Sequence, residues 1–278
     1  MLFAGCAPCQ PFSQQRKSKH KHGDATLLLE FGRLIEEGLP GMVFVENVPG
    51  IAKVSGYSAF RRFLKLLERN NYYYVFQVID AKEYGVPQTR KRLVLIAMRG
   101  FRPTIPRPKY GTDERPYRTV KWAISHFPEI GPGESHPDVP NHETASITER
   151  NLERLHHTPH DGGDRRSWPE HLQLNCHGNG FGGYTDVYGR LFWDSPAPTL
   201  TSRCNSISNG RYGHPEQDRA MSLREAAAIQ SFPDYYVFFD SSKKIALQVG
   251  NAVPVKMAQE FGKHIRYLWD NYKSKYML

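Results

Sequence analysis

Two cysteines three residues apart stand in the stretch Gly5-Cys6-Ala7-Pro8-Cys9-Gln10-Pro11-Phe12-Ser13. A cysteine in a proline-bounded loop is held rigid and partly exposed, and its reactivity follows how far its pKa is lowered. The spacing fits three tasks: a nucleophile, a buried structural thiol, or a Cys6-x-x-Cys9 pair acting as a redox dithiol or half a zinc site. Zinc needs two more ligands. Cys176, His177 and Cys204 are available but show no second paired spacing, so no metal site is expected. Further along, Glu46-Asn47 follows a short apolar run, and Gln88-Thr89-Arg90-Lys91-Arg92 precedes another. A thiol, a carboxylate and a basic cluster are the groups from which nucleophilic and acid–base chemistry is built.

These residues need elements to hold them. Residues 1–5 form an apolar run ending in Gly, and residues 42–45 a second, stopped by Glu46-Asn47. Residues 72–79 and 93–98 read as two more strands. Between them, Leu27, Leu28, Phe31, Leu34 and Ile35 recur at helical spacing, and Phe60, Phe63, Leu64 and Leu67 form one face of a second helix. The strand–helix–strand order predicts an α/β chain with a parallel or mixed sheet, whose functional residues gather at the carboxyl ends of strands. Cys9 and Glu46 lie just past two such ends. After Gly100 the chain turns rich in Pro, Gly, His and aromatics with little periodicity, which predicts a loop-rich region. Regularity returns at Ser222-Leu223-Arg224-Glu225, a capping box opening a helix to about Ser231, and residues 255–272 read as a terminal helix.

The 278 residues suffice to bury a core without disulfide staples, and four cysteines make no disulfide framework. With 37 Lys and Arg against 28 Asp and Glu, the formal net charge of +9 favours a polyanionic partner. No apolar run is long enough to span a membrane, and no signal-peptide pattern opens the chain, so a reducing, cytoplasmic setting is expected.

Pro8-Cys9-Gln10-Pro11-Phe12-Ser13, Glu46-Asn47-Val48, Gln88-Thr89-Arg90-Lys91-Arg92 and Gly250-Asn251-Ala252-Val253-Pro254 occur in one order along the chain. Between them stand Tyr84-Gly85-Val86-Pro87, Pro196-Ala197-Pro198-Thr199-Leu200-Thr201, and Arg224-Glu225-Ala226-Ala227 with Gln230-Ser231-Phe232-Pro233. In these blocks the chain resembles the DNA (cytosine-5) methyltransferases over nearly its whole length. The resemblance implies S-adenosylmethionine as methyl donor and duplex DNA with a flipped cytosine as substrate. It makes Cys9 the nucleophile and Glu46 the group at ring nitrogen 3, with Arg92 contacting the target base and Arg90 and Gln88 completing its motif. It places Pro8, Asn251, Ala252 and Val253 at the cofactor. Gln10 and Ser13, with Arg16, Lys17 and Lys19 of the basic stretch behind the nucleophile, become DNA contacts. Arg203 and Arg211 join them from the later segment.

The expected fold is a partial Rossmann-like methyltransferase sheet lacking its front strands, with a smaller loop-rich target-recognition domain. Residues 1–100 would form the catalytic domain, 101–205 the recognition domain, and 206–278 a return to the catalytic domain. The family's glycine-rich Phe-x-Gly-x-Gly cofactor turn is missing from its usual place. The strand at residues 1–5 would then have an open edge, inviting pairing. The expectation is a fragment of a longer enzyme, or a subunit whose front strands come from a second polypeptide. The alternative is a catalytically inactive DNA-binding remnant within the restriction–modification setting that the family implies.

Overall fold

The computed structural model describes residues 1–6, 26–53, 58–174 and 186–276. The chain divides into two compact units: Met1–Ala81, Lys91–Pro108 and Ala258–Leu278 form the first, and Lys82–Arg90 with Lys109–Met257 the second.

The first unit is built on a four-stranded mixed sheet of order β1-β2-β4-β3. Its strands are β1 (Leu2–Gly5), β2 (Met42–Asn47), β3 (Tyr72–Asp80) and β4 (Lys91–Arg99). β1 runs parallel to β2, while β4 is antiparallel to both β2 and β3. With β1 and β2 parallel and the later strands antiparallel, this is the mixed α/β sheet that the strand–helix–strand order predicts. Side chains alternate across a strand, so the register decides what each face carries. Val43, Val45, Leu93, Leu95 and Ala97 face helices α1 (Thr26–Gly38) and α2 (Ala59–Arg69), meeting Leu28, Ile35, Phe60, Phe63 and Leu67 in one core. Phe44 points the other way, 5.7 Å centroid to centroid from Phe261 on helix α7 (Val255–Tyr276), so that helix covers the second face.

The helical periods predicted from sequence are present, with two shifts. Leu27 and Leu34 of α1 stay exposed, because a helix packed on one side of a sheet buries only one stripe. In α2 Leu66 joins Phe60, Phe63 and Leu67 among the buried residues, while Leu64 is only partly buried. Ser58 caps α2 by accepting a hydrogen bond from the Arg61 amide at 3.3 Å. Glu46 and Asn47 lie inside β2 at its carboxyl end rather than past it, because both still pair with β4, Glu46 opposite Val94 and Asn47 opposite Leu93.

The second unit has little repetitive structure. Its helices are α3 (Val120–Ile124), α4 (Glu149–His156), α5 (Leu223–Ile229) and α6 (Ser242–Asn251), joined by loops and short 3-10 turns. Helices α3, α5 and α6 pack around Leu191, Ala197, Leu200 and Cys204. The Ser222 capping box forms as predicted, with Ser222 Oγ accepting from the Glu225 amide and Glu225 accepting from the Ser222 amide. α6 has no counterpart in the sequence reading.

Buried arginines take the place of ladder hydrogen bonds in the loops. Arg190, with no exposed surface, donates to the carbonyls of Leu155, Thr158, His214 and Gln217 and to Asp218. A planar guanidinium has five donors in fixed directions, so one side chain can satisfy several loop carbonyls. Arg219 forms a two-pronged pair with Glu225 at 2.7 and 2.8 Å, and both are nearly inaccessible. Burial opposes the Glu225 charge, but the Arg219 fork outweighs it and holds the carboxylate below its usual range.

His214 lies beside this pair and is buried neutral. Desolvation lowers its pKa from 6.5 to about 4, and Glu225, 3.9 Å away, offsets only part of that. The unfolded chain therefore takes up this proton first as pH falls. Stability contributed by neutral His214 is complete above pH 6.5 and is lost progressively down to about pH 4. Moving from pH 7.5 to 4.5 is expected to remove about 2–3 kcal/mol through this group. Urea unfolding at the two pH values measures it. His214→Asn should flatten the dependence, and an unchanged slope in that variant would assign the effect elsewhere.

Candidate functional site

The register of the first unit brings a carboxylate and a guanidinium together. Glu46 is opposite Val94, and Arg92 lies two residues from Val94 on the same face, so Glu46 and Arg92 are diagonal neighbours. Arg92 Nε lies 2.9 Å from Glu46 Oε1, and Arg92 Nη1 donates to the Lys91 carbonyl at 2.8 Å. Glu46 is 7% exposed, so it is no solvated strand-end carboxylate. Burial lowers the Arg92 pKa and the Glu46 charge opposes that shift. A carboxylate fixed this way has one defined direction for its remaining lone pairs.

Cys6, just beyond β1, also faces Glu46. Burial pushes its thiol up to about 11, and the Glu46 charge pushes the same way. Cys6 is therefore a neutral thiol at neutral pH, although the residue keeps contact with solvent. A neutral thiol is a poor nucleophile, which counts against Cys6 as the reactive member of the pair. Nothing in the sequence reading linked Cys6 to Glu46. The signal was their shared place near the ends of two neighbouring parallel strands.

In the second unit, Gln88 and Arg90 are buried and bonded to backbone. Gln88 Nε2 donates to Gln230 Oε1 at 2.9 Å, and Gln88 Oε1 accepts from the Leu200 amide at 3.0 Å. Arg90 donates to the carbonyls of Leu200 and Gly250, each at 2.9 Å, and of Ala252 at 3.2 Å. Gln230 Nε2 completes the knot by donating to the Val249 carbonyl at 2.6 Å. The backbones of residues 87–89 and 197 also bond to each other. At Gly250 a Cβ would lie 2.2 Å from the Thr201 carbonyl oxygen, so only glycine lets the end of α6 approach that strand-like segment. Gln88 and Arg90 thus hold the Pro196–Thr201 stretch and the α6 terminus in one arrangement.

Asn251, the last residue of α6, is exposed, and Ala252 and Val253 just after it are partly so. Arg203 is exposed. Arg211 is engaged with the carbonyls of Gly162, Gly163 and Arg190 at 2.8, 3.2 and 2.9 Å, so its guanidinium braces loops. Pro8, Cys9, Gln10, Ser13, Arg16, Lys17 and Lys19 lie outside the described residues, as do Cys176 and His177. Cys204 is a free thiol in the core of the second unit, and its pKa is pushed up to about 12 by burial.

The C-5 cytosine-specific DNA methylase family matches residues 1–267. Type II methylase M.HgiDII of Herpetosiphon aurantiacus is 40% identical over 271 residues, covering 95% of this chain and 75% of that protein. Type II methyltransferase M1.HphI of Haemophilus parahaemolyticus is 34% identical over 270 residues, covering 95% and 68%. Among solved structures, a prophage-encoded protein of Escherichia coli described as a DNA modification methyltransferase superposes with a TM-score of 0.72 at 20% identity, covering 97% of this chain and 79% of that one. The Entamoeba histolytica methyltransferase EhMeth gives 0.60 at 16% identity, covering 98% and 78%. At these identities the two structures show the fold.

Proposed function

The chain belongs to the C-5 cytosine-specific DNA methylase family, and from that premise we propose that it methylates carbon 5 of cytosine in duplex DNA within a type II restriction–modification system, in the cytoplasm where that DNA lies. Carbon 5 is a poor nucleophile until a thiolate adds at carbon 6 and turns the ring into an enamine. Cys9 supplies that thiolate. Electron density then flows toward ring nitrogen 3, where Glu46 stabilises it by giving a proton or a hydrogen bond. Arg92 holds the Glu46 carboxyl in place and contacts the base. The observation that carries this reading is the buried Glu46–Arg92 pair at the carboxyl end of β2.

The target base must leave the helix stack to reach these groups. Gln10, Ser13, Arg16, Lys17 and Lys19, with Arg203, are assigned to holding the DNA around it, and residues 101–205 to recognising its sequence. Arg211 supports that region by bracing residues 162–163 and 190.

S-adenosylmethionine, the methyl donor that the family implies, needs partners for its sulfonium, ribose and adenine. Asn251, Ala252 and Val253 offer one carboxamide and small apolar groups, which can line one wall but do not serve the sulfonium, the ribose and the adenine together. The residues described therefore do not build that pocket by themselves. β1 is an edge strand among the described strands, and beside it Met1, Leu2, Met42, Ile265 and Trp269 line an apolar crevice of about 250 Å³. We assign this edge to further strands that carry the cofactor site, in the same polypeptide or a second one.

A duplex containing 5-fluorocytosine tests the proposal, because the fluorine cannot leave once the thiolate has added and the methyl group has arrived. The chain, completed with its cofactor-binding strands and S-adenosylmethionine, should form a denaturant-resistant adduct that Cys9→Ser abolishes. No adduct from the completed protein would leave the inactive DNA-binding remnant as the better description.

A further inference from the structure

In the second unit, the short 3-10 turn Arg165–Ser167 carries a guanidinium that is both exposed and fixed. The Arg166 side chain is 88% exposed, yet it makes a two-pronged pair with Asp164. Arg166 Nε donates to Asp164 Oδ1 and Oδ2 at 2.9 and 3.1 Å, and Nη2 donates to Oδ2 at 2.7 Å. The Arg166 amide adds a bond to Oδ1 at 3.0 Å. Asp164 is only 10% exposed, and Arg211 Nη2 lies 3.6 Å from its Oδ2. The Arg166 hydrogen bonds hold the Asp164 carboxyl down at about 2, so it stays charged at neutral pH.

The loop carrying this pair is pinned. The Gly162 and Gly163 carbonyls accept from Arg211 Nη1 at 2.8 and 3.2 Å, and Gly163 also accepts from the Arg190 amide at 2.9 Å. The Asp161 carboxylate accepts from the Trp193 amide at 2.7 Å, and its own amide donates to the Pro215 carbonyl at 2.8 Å. Ser167 Oγ donates to the His157 carbonyl at 2.6 Å. Gly162 has φ +94°, and a Cβ there would run into the Phe192 ring, over which the Arg211 guanidinium lies at 5.2 Å.

Stability does not account for the Asp164–Arg166 pair. An exposed ion pair contributes little, and ordering a long side chain in water costs rotamer freedom. What the pairing achieves is orientation. The Nε–Nη2 edge is spent on Asp164. The outer edge, Nη1 with the second N–H of Nη2, points away from the carboxylate and has no partner among the described residues. Its two donors are parallel and match the O6 and N7 acceptors that guanine presents in the major groove. A phosphate is the poorer fit, because charged Asp164 offsets the guanidinium charge and repels a second anion. A base edge is neutral and meets no such opposition. We propose that Arg166 reads one guanine of the recognition sequence through its outer guanidinium edge, with Asp164 as the positioning residue that aims it and Arg211 behind Asp164. The inference rests on duplex DNA being the substrate. It assigns a base identity to a loop that lies outside all the family blocks.

The test is selection from duplexes with a randomised core. The protein, completed with its cofactor-binding strands, is mixed with the pool, and the bound duplexes are sequenced, a readout that needs no methyl transfer. The parent protein should enrich a site with at least one required guanine. Arg166→Ala should relax one such position by about 10- to 100-fold and leave the others as they were. Arg166→Lys should relax the same position less, because lysine still donates there but without the planar fork. Asp164→Asn removes the charge that aims the guanidinium and should relax that position too. Thermal melts separate these effects from unfolding. If Arg166→Ala weakens all sequences alike and lowers the salt slope by about 1, the side chain is a phosphate contact and the proposal falls. It falls as well if the guanine preference is unchanged, or if the parent protein enriches no guanine. A relaxed position in a protein that forms no 5-fluorocytosine adduct keeps Arg166 as the reader and sinks the catalytic reading. An adduct with unaltered preference sinks the reader alone.

Discussion

Glu46→Gln is expected to slow methyl transfer by about 10²- to 10⁴-fold while leaving DNA binding close to normal, the range that a positioned acid–base group contributes. Glutamine has the shape of glutamate, and its carbonyl oxygen can still accept from Arg92 Nε, which lies 2.9 Å from Glu46 Oε1. What it loses is the capacity to pass a proton to ring nitrogen 3. The substitution also leaves the Arg92 charge without a counter-charge in a nearly enclosed place, a cost of about 1–3 kcal/mol in stability. Single-turnover methylation with excess completed protein separates the chemical step from binding. A rate within threefold of the parent protein would remove Glu46 from the mechanism. Arg92→Lys is the companion: it keeps the positive charge but not the planar Nε donor, so it should fall between the two.

Arg90→Ala is expected to destabilise the second unit by about 3–5 kcal/mol, the largest stability effect anticipated for any single change in the site blocks. Its guanidinium is the donor for the Leu200, Gly250 and Ala252 carbonyls, and the residue is 2% exposed. Removing it takes that donor from the Leu200 and Gly250 carbonyls, while Ala252 keeps the Gln230 amide, and opens a cavity where water has little access. Arg90→Lys should recover only part, because an ammonium cannot reach three carbonyls in the directions a planar fork does. The measurement is the urea midpoint, with the slope against denaturant checked for constancy. A variant that keeps its midpoint but loses methylation would give Arg90 a chemical task instead of a structural one.

These expectations show which parts of the molecule can be read from the chain. β2 and β4 were legible as apolar runs, α2 as a 3.6-residue period, and α5 from its capping box, because those signals are local. The Glu46–Arg92 contact was legible only as two motifs. Their meeting is set by a strand register joining residues 46 positions apart, which no local pattern encodes. Arg190, Arg219 and Arg224 are buried, which nothing in the local sequence around them signals. Their partners are carbonyls and carboxylates scattered through distant loops, so burial was decided by tertiary contacts. α6 escaped notice because Ile245, Ala246 and Val249 are too few to make a clear period beside Lys243, Lys244 and Gln248. Arg211 was expected at DNA from its place after the recognition segment, and its hydrogen bonds to the Gly162 and Arg190 carbonyls have no local signal in the sequence.

The placement of α7 has a consequence for synthesis. All four strands of the sheet have left the ribosome by Arg99, but the part of α7 that covers the Phe44 face begins only at residue 258. About 160 residues must be translated in between, which takes roughly 10–30 s at ordinary elongation rates. Throughout that interval a nascent sheet carries Phe44, Val94, Ile96 and Met98 on the face that α7 later covers. Production of this protein should therefore depend on holding chaperones and on elongation speed more than its final stability implies.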